Sequence, residues 1–109
     1  MQFQPLASLP ELIEGYKKAF NISGCTVLLV CDGTDTFALD AHCPHMGSRL
    51  DGGVVKPKQI QCPHHLFKFD LQSGQCLTQG VLCDNLRTLP VHYQDDWAGI
   101  DLNELADWL

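Results

Sequence analysis

Two short, similar segments near the middle of the chain bring cysteine and histidine close together. Residues 43–45 read Cys-Pro-His and residues 62–65 read Cys-Pro-His-His, with sixteen residues between the two segments. A cysteine and a histidine one or two residues apart can converge on one metal ion when the loop between them is tight. The prolines favour such loops because they fix φ. The candidate ligands are therefore two thiolates and two imidazoles, from Cys43, His45, Cys62 and His65.

Two kinds of centre use this set of ligands. Two cysteines and two histidines can hold zinc in a tetrahedral site. They can also hold a [2Fe–2S] cluster, with both thiolates on one iron and both imidazoles on the other. Ligand chemistry alone leaves both possibilities open. The sequence around the loops favours the cluster, because zinc modules usually have little structure besides the site, whereas these loops lie between predicted strands of a complete domain.

The size of the chain is that of one domain. It has 109 residues, of which 45% are hydrophobic and 18% are charged, enough to form a core. We therefore expect a single domain over residues 1–109. A core of this size gives limited stability, and a metal centre that joins two loops would add to it.

The formal net charge is −6, from seven Lys and Arg against thirteen Asp and Glu. This balance argues against nucleic acid or an anionic membrane surface as a partner, and it suits docking onto a basic protein surface. No apolar run approaches the roughly 20 residues that a membrane span needs. The N-terminus has no basic stretch followed by an apolar one, so we expect no signal peptide and a cytoplasmic location.

The chain contains six cysteines. Disulfides are rare in the reducing cytoplasm, so the even number does not indicate a disulfide framework. Two of the six are the candidate ligands. The other four are predicted to be small packing residues: Cys25, Cys31, Cys76 and Cys83.

The remaining pattern consists of short apolar or alternating segments separated by turn residues, which predicts an all-β fold. Predicted strands cover 25–31 and 36–41 around the turn 32–35, and two more lie within 52–61 around Lys56-Pro57-Lys58. Residues 67–71 and 75–79 flank a turn, and 87–94 and 97–102 form a closing hairpin across Asp95-Asp96. Residues 103–109 are the best helix candidate, with Asn103 as a possible N-cap.

The sequence around both loops resembles that of the Rieske ferredoxin family. The matching segments are AHCPHMGSRLDGGVV (41–55) and IQCPHHLFKFDLQSG (60–74), and the resemblance extends weakly over residues 10–102. It implies an antiparallel β-sandwich with a small cluster-binding subdomain over about 41–71. It also implies a strand over roughly 17–22, although the apolar spacing of 9–20 is helical.

The same resemblance assigns the ligands. Cys43 and Cys62 would hold the buried iron of one [2Fe–2S] cluster per chain, and His45 and His65 the outer iron. Neutral imidazoles raise the reduction potential above that of all-cysteine clusters, into a range of about −150 to +300 mV.

Several positions depart from the high-potential respiratory Rieske proteins. Ser48 and His64 stand where those proteins have two cysteines joined in a disulfide, and Phe67 and Phe69 stand where they have hydroxyl donors. These differences predict a potential near the lower end of the Rieske range. Leu66 replaces a common glycine, and we expect it to add an apolar contact there.

The resemblance implies a carrier of single electrons, not an enzyme on its own. An NAD(P)H-dependent flavin reductase would reduce the cluster, and a terminal oxygenase would oxidise it. The carrier is expected to be a monomer. The alternatives are a small accessory subunit of a larger reductase, such as nitrite reductase, and a zinc-binding structural module or iron–sulfur redox sensor with the same ligands.

Other residues with possible roles have simpler interpretations. The remaining histidines, His42, His64 and His92, are predicted to be surface or strand residues. An apolar rim for docking around the histidine ligands would consist of Pro44, Met46 and Leu66. The acidic residues near the C-terminus are expected to be solvated: Asp95, Asp96, Glu104 and Asp107.

Overall fold

The computed structural model describes residues 1–44, 47, 49–63, 67–79 and 84–109. In these ranges it contains ten short strands and one short helix, α1 (Leu102–Leu105), between 3-10 turns at Leu9–Glu11 and Ala106–Trp108. The strands are β1 (Phe3–Ser8), β2 (Lys17–Ile22), β3 (Cys25–Cys31), β4 (Thr36–Asp40), β5 (Val54–Lys56), β6 (Gln59–Gln61), β7 (Lys68–Asp70), β8 (Thr88–Leu89), β9 (His92–Gln94) and β10 (Trp97–Asp101).

The described strands form three antiparallel sheets. Their orders are β1-β10-β9, β2-β3-β4-β8 and β5-β6-β7. The predicted all-β antiparallel fold and the short C-terminal helix are thus confirmed. Strands β5 and β6 lie between the two Cys-Pro-His segments in sequence, and the second segment lies between β6 and β7.

Strand β3 lies at the centre of the molecule and separates two hydrophobic cores. Leu28 and Val30 pack into the core that contains the small sheet. Their neighbours Val27 and Leu29 pack on the other face, in the core that contains β10 and α1. A strand buried on both faces reads as a continuous apolar run, which explains the sequence CTVLLVC over Cys25–Cys31.

The β2–β3 hairpin confirms the predicted strand over 17–22. Ile22 pairs with Cys25, so Ser23 and Gly24 form a two-residue loop with φ of 51° and 82°. Both values are those of a type I′ turn, whose twist suits a hairpin. Of the segment 9–20, whose apolar spacing is helical, only Leu9–Glu11 forms a 3-10 turn. Gly15, with a φ of +86°, lies between this turn and β2.

The hairpin predicted around Lys56-Pro57-Lys58 is also present. Lys56 pairs with Gln59, and Lys58 adopts a φ of 62°. Residues 75–79 do not form a strand opposite β7. Cys76 makes only an isolated bridge with Phe69, and the main-chain N–H of Lys68 donates to Oγ1 of Thr78 at 2.9 Å.

The predicted closing hairpin is correct only in its second half. β9 pairs with β10, and Gln94 opposite Trp97 leaves Asp95-Asp96 as the loop. The segment 87–94 is not one strand, because β8 pairs with β4 in another sheet and the chain leaves that ladder at Pro90. Proline has no N–H to continue a ladder, which accounts for the break.

Two features of the termini differ from the sequence expectations. The helix cap is Asp101 and not Asn103: the Asp101 carboxylate accepts the N–H of Asn103 at 2.9 Å. The edge strand β1 was not predicted. It pairs with β10 through a register irregularity between Pro5 and Ala7, so its sequence lacks a regular alternation.

Candidate metal centre

The first Cys-Pro-His segment begins a loop whose two ends are held together. The N–H of Leu50 donates to the carbonyl of Ala41 at 2.7 Å, and His42 forms a bridge with Arg49. Inside the loop, the N–H of Gly47 donates to the carbonyl of Cys43 at 2.7 Å. Gly47 has a φ of +72°, a conformation that glycine adopts without strain. These hydrogen bonds fold the chain back on Cys43 within a short loop.

The second segment lies at the end of the β6–β7 hairpin. Gln61 and Lys68 form the last pair of the ladder, and beyond them the N–H of Cys62 donates to the carbonyl of Phe67 at 2.7 Å. This bond closes a loop that contains Pro63 and the candidate ligand His65. Each candidate cysteine thus opens a loop closed by a short main-chain hydrogen bond.

Cys43 and Cys62 lie in the same buried core. Both are 0% exposed, and the core also contains Leu50, Ile60 and Phe69, each likewise fully buried. A bare thiolate in such surroundings would pay a large desolvation cost. Two buried thiols in one apolar core therefore suit the inner, sulfur-ligated iron of a mixed cluster. The imidazole candidates, His45 and His65, lie outside the described residues, as do Met46, Ser48, His64 and Leu66.

A turn at residues 50–53 packs directly against the strand that leads to Cys62. The N–H of Gly53 donates to the carbonyl of Leu50 at 2.8 Å, and the Lys17 ammonium donates to the carbonyl of Gly53. A Cβ at Gly53 would lie 2.4 Å from the carbonyl oxygen of Gln61. Only glycine fits there without a shift of the backbone. The sequence signal for this contact is the Gly-Gly pair at 52–53.

Asp32 connects the centre's sheet to the rest of the molecule. Its carboxylate accepts main-chain N–H bonds from Thr34 at 2.9 Å, Asp35 at 2.8 Å and Lys58 at 2.8 Å. Burial alone would raise the pKa of Asp32, but these hydrogen bonds together hold its pKa below the usual range. The sequence indicated only a turn at 32–35, without this long-range role.

Asp70 organises the turn that follows β7. Its carboxylate accepts both the N–H and the hydroxyl of Ser73, at 2.7 and 2.8 Å. The N–H bond from Ser73 is the main cause that lowers the pKa of Asp70, and burial partly opposes it. Gly74 follows at φ +78°, where a Cβ would lie 2.2 Å from the carbonyl of Leu86. This turn explains why the segment 60–74, which resembles the Rieske ferredoxin sequence, contains Asp70, Ser73 and Gly74.

The other histidines lie in ordinary surface interactions. His42 is exposed, with Nδ1 3.4 Å from a carboxylate oxygen of Asp40. His92 Nε2 lies 2.7 Å from the carboxylate of Glu104, so Glu104 is not simply solvated as expected. Asp101 is near this pair, with ligand-type atoms of the three residues within 4.8 Å of one another. The helix cap formed by Asp101 and the contact between His92 and Glu104 account for that grouping.

The structure describes three of the four remaining cysteines and one residue of the apolar rim expected around the histidine ligands. Cys31 is buried, and Cys25 and Cys76 are half-buried against the two cores, in agreement with packing roles. Cys83 lies outside the described residues. Of the proposed rim, only Pro44 is described, and it is half-buried.

Comparison with known families gives one match over most of the chain. The family model of the Rieske [2Fe-2S] domain matches residues 2–90. Among curated proteins, the ferredoxin component of the naphthalene 1,2-dioxygenase system of Pseudomonas putida is 28% identical over 96 residues, which cover 88% of this chain and 91% of that protein.

Solved structures show the same fold. The ferredoxin of carbazole 1,9a-dioxygenase from Nocardioides aromaticivorans IC177 matches with a TM-score of 0.81 and 26% identity, over 93% of this chain and 98% of that one. A protein described as the small subunit of an NADPH nitrite reductase matches with a TM-score of 0.73 and 22% identity, over 92% and 98%. In the described part of the chain, no helix is long and apolar enough to cross a membrane.

Proposed function

This chain belongs to the family of Rieske [2Fe–2S] domains, and we propose that it carries single electrons from an NAD(P)H-dependent flavin reductase to a terminal oxygenase. Membership of the family brings with it a [2Fe–2S] cluster as the cofactor. The similar proteins are ferredoxin components of dioxygenase systems and carry electrons without being the catalyst. They support the same kind of role here, with an oxygenase as the electron acceptor.

Four residues of this chain hold the cluster in the proposal. Cys43 and Cys62 bind the inner iron, and His45 and His65 bind the outer iron. The observation that carries this assignment is the complete burial of the two cysteines in one core, each at the start of a closed loop. When bound, the cluster supplies a one-electron redox couple, and the apolar core around the thiols excludes water from its inner side.

The proposed domain organisation is one Rieske domain over residues 1–109, with a cluster-binding part over about 41–71. The carrier acts in the cytoplasm as a monomer. Support for this division comes from the small β5-β6-β7 sheet, which packs together with Cys43 and Cys62 in the core on one face of β3. The carbonyl of Gly53 and the carboxylate of Asp32 attach this part to the larger sheets.

The first experiment is anaerobic purification with analysis of iron, acid-labile sulfide and zinc. We expect two irons and two sulfides per chain, a red-brown colour, and an EPR signal on reduction typical of mixed His/Cys ligation. A colourless protein with stoichiometric zinc would contradict the proposal and favour a structural zinc site.

Variants then test the assignment of the ligands. Cys43→Ser and Cys62→Ser should abolish the [2Fe–2S] absorption. Cys76→Ser is the matched control, because this half-buried cysteine lies in the same core and is no ligand in the proposal. Full cluster content in Cys43→Ser, or its loss in Cys76→Ser, would overturn the assignment.

The direction of electron flow needs a separate measurement. A purified NADH:flavin ferredoxin reductase should reduce the cluster, and the reduced protein should support single-turnover oxygenation by a Rieske dioxygenase of the naphthalene or carbazole class. Reduction without transfer to any oxygenase would leave the cluster assignment intact and refute the oxygenase as acceptor.

A further inference from the structure

Charge is distributed very unevenly along this chain. Residues 41–79 carry four basic side chains (Arg49, Lys56, Lys58 and Lys68) and two acidic ones (Asp51 and Asp70), a net charge of +2. The rest of the chain has three basic residues against eleven acidic ones, a net charge of −8. The part of the molecule that holds the two loops is therefore positive, although the whole protein has a net charge of −6.

One row of side chains on the small sheet lies beside the second loop. Val54, Gln61 and Lys68 are cross-strand partners on β5, β6 and β7, so their side chains share one face. Leu77 continues the row, because its N–H donates to the carbonyl of Lys68 at 2.7 Å. Gln61 directly precedes Cys62, and Lys68 directly follows the end of that loop. We call these four residues the Val54–Leu77 row.

The row combines exposed apolar side chains with a cation. Val54 is 54% exposed and Leu77 is 41% exposed, and both are large aliphatic residues that folding left in contact with water. Lys68 is exposed and forms no ion pair with the described residues. A shallow groove of about 410 Å³ runs between Lys68, Leu77 and Gln79. Apolar side chains beside a free cation are typical of a contact surface.

Nearby basic residues extend the positive field around this end. The Lys17 ammonium donates to the carbonyl of Gly53, next to Val54. Arg49 pairs with Asp51 at 3.2 Å, but both side chains are about half exposed, and ion pairs of this kind are weak. Of these three basic side chains, Lys68 is the one without an ion pair or a side-chain hydrogen bond to the described residues.

We propose that the Val54–Leu77 row is the docking surface for a redox partner that presents carboxylates around its own electron-entry site. The proposal rests on the proposed function, because it assumes that electrons leave or enter near the loops. An acidic partner surface would attract Lys68 and repel the acidic residues outside 41–79, and so would orient the protein before contact. Val54 and Leu77 would then form the dry centre of a small, transient interface.

The net charge of the whole protein suggests the opposite kind of partner. A total charge of −6 indicates a basic partner, as the sequence alone led us to expect. The long axis of the molecule is 43 Å, whereas the Debye length at 0.1 M salt is about 10 Å. Under such conditions a partner responds mainly to the charges within about 10 Å of the surface that it contacts.

Small inorganic oxidants of opposite charge test the sign of this local field. The reduced protein is mixed in a stopped-flow instrument with hexacyanoferrate(III), an anion, or with tris(1,10-phenanthroline)cobalt(III), a cation, between about 0.1 and 0.3 M salt. We expect the hexacyanoferrate rate to fall, by about twofold or more, and the cobalt rate to rise, as screening removes attraction and repulsion. The opposite pair of slopes would overturn the proposal.

A matched pair of variants tests whether the salt dependence of the hexacyanoferrate reaction arises at Lys68. Lys68→Glu should flatten or invert the salt dependence with hexacyanoferrate. Lys18→Glu changes the net charge equally but should leave the slope as it was. Lys18 is exposed on β2, where it lies over the ring of Phe20 and alternates with Lys17 to the opposite face. Equal effects of the two variants would show that net charge alone acts, and would refute the docking surface.

Poly-L-glutamate serves as a probe for an acidic protein surface. We expect it to slow the hexacyanoferrate reaction of the unaltered protein and of Lys18→Glu, and to have no effect on the double variant Lys68→Glu/Leu77→Asp. Equal protection of all three proteins would contradict the proposal. All proteins are first checked for cluster content and midpoint potential, so a missing cluster refutes the proposed function, while an intact cluster with the wrong salt dependence refutes only the docking surface.

Discussion

The main-chain N–H of Lys58 donates to the carboxylate of Asp32 across 2.8 Å, and this bond joins the turn after β3 to the turn between β5 and β6. The two residues are 26 positions apart in the chain. Lys58 lies in the tight turn between β5 and β6, with a positive φ of 62°. A buried carboxylate thus helps to anchor the small sheet next to the cluster loops to the rest of the molecule.

We predict that Asp32→Asn destabilises the protein by about 1–3 kcal/mol at pH 7. The amide nitrogen would face an N–H donor where a carboxylate oxygen now accepts one. Because the folded-state pKa of Asp32 is lowered, its contribution is present above the unfolded pKa and is lost as pH falls through the folded value. The difference between wild type and variant should therefore shrink below about pH 4.

Guanidinium unfolding followed by circular dichroism at pH 7 and at pH 3 measures this difference. Asp96→Asn is the control, because Asp96 is an exposed residue of the β9–β10 loop. A difference that is as large at pH 3 as at pH 7 would contradict the assigned role of the Asp32 carboxylate.

The two adjacent glycines after the first loop should respond very differently to substitution. A Cβ at Gly53 would lie 2.4 Å from the Gln61 carbonyl and 3.0 Å from the Leu50 carbonyl, so Gly53→Ala should cost about 1–3 kcal/mol through overpacking. A Cβ at Gly52 would meet only Cγ of Pro63, at 3.8 Å, which is ordinary contact. Gly52→Ala should therefore stay within about 0.5 kcal/mol of wild type.

Thermal unfolding and iron content check this pair. Gly53 lies directly behind the strand that leads to Cys62, so we expect a lower iron content in Gly53→Ala as well as a lower Tm. Wild-type iron and Tm in Gly53→Ala would show that the turn at 50–53 does not support the centre.

The parts of the structure that the sequence predicted are those whose signal is local. The Cys-Pro-His segments, the apolar run of β3 and the Lys56-Pro57-Lys58 turn each lie within a few residues, and β3 and the turn appear where expected. Cys43 and Cys62, which the family resemblance assigns to a buried iron, are both fully buried.

The parts that were not predicted depend on partners that are distant in the chain. β1 is a strand because it pairs with β10, about ninety residues later in the chain. Its own sequence gives a weak signal, because it contains Pro5 and the pairing is irregular between Pro5 and Ala7. The hydrogen bonds of Asp32 and the close approach at Gly53 require the packed structure in the same way. The predicted N-cap was wrong by two residues. Asp and Asn are equally good N-cap residues, so the residue type alone does not choose between Asp101 and Asn103.

The β9–β10 loop offers a stabilising substitution. Asp95 has a φ of 54°, whereas Asp96 has no positive φ, so the first position of the two-residue loop alone adopts the left-handed region. Glycine adopts this conformation without the penalty of a Cβ. We predict that Asp95→Gly raises the free energy of unfolding by about 0.5–1 kcal/mol.

Asp96→Gly is the matched control and should lower stability slightly, because it adds only flexibility to the unfolded chain. Both variants lose the same charge, so electrostatic effects largely cancel in the comparison. Chemical unfolding at neutral pH gives the two values. Equal changes in both variants would mean that charge, and not backbone conformation, governs this loop.

The identity of the outer ligands leads to the last prediction. The proposal makes His65 a ligand and leaves the neighbouring His64 outside the centre. Replacing a neutral imidazole by a thiolate adds negative charge at the cluster, so His65→Cys should lower the midpoint potential. Rieske centres have midpoint potentials of about −150 mV or above, and plant-type clusters lie near −400 mV. Replacement of one of the two histidines is therefore expected to lower the potential by about 100 mV.

Redox titration followed by circular dichroism in the visible range measures this shift, and iron content confirms that the cluster is present. His45→Cys should shift the potential in the same direction, because the two imidazoles bind the same iron in the proposal. His64→Ala is the control and should leave the potential within a few tens of millivolts of wild type, since it removes no ligand. Loss of the cluster in His64→Ala, together with an unchanged potential in His65→Cys, would exchange the two histidines in the assignment.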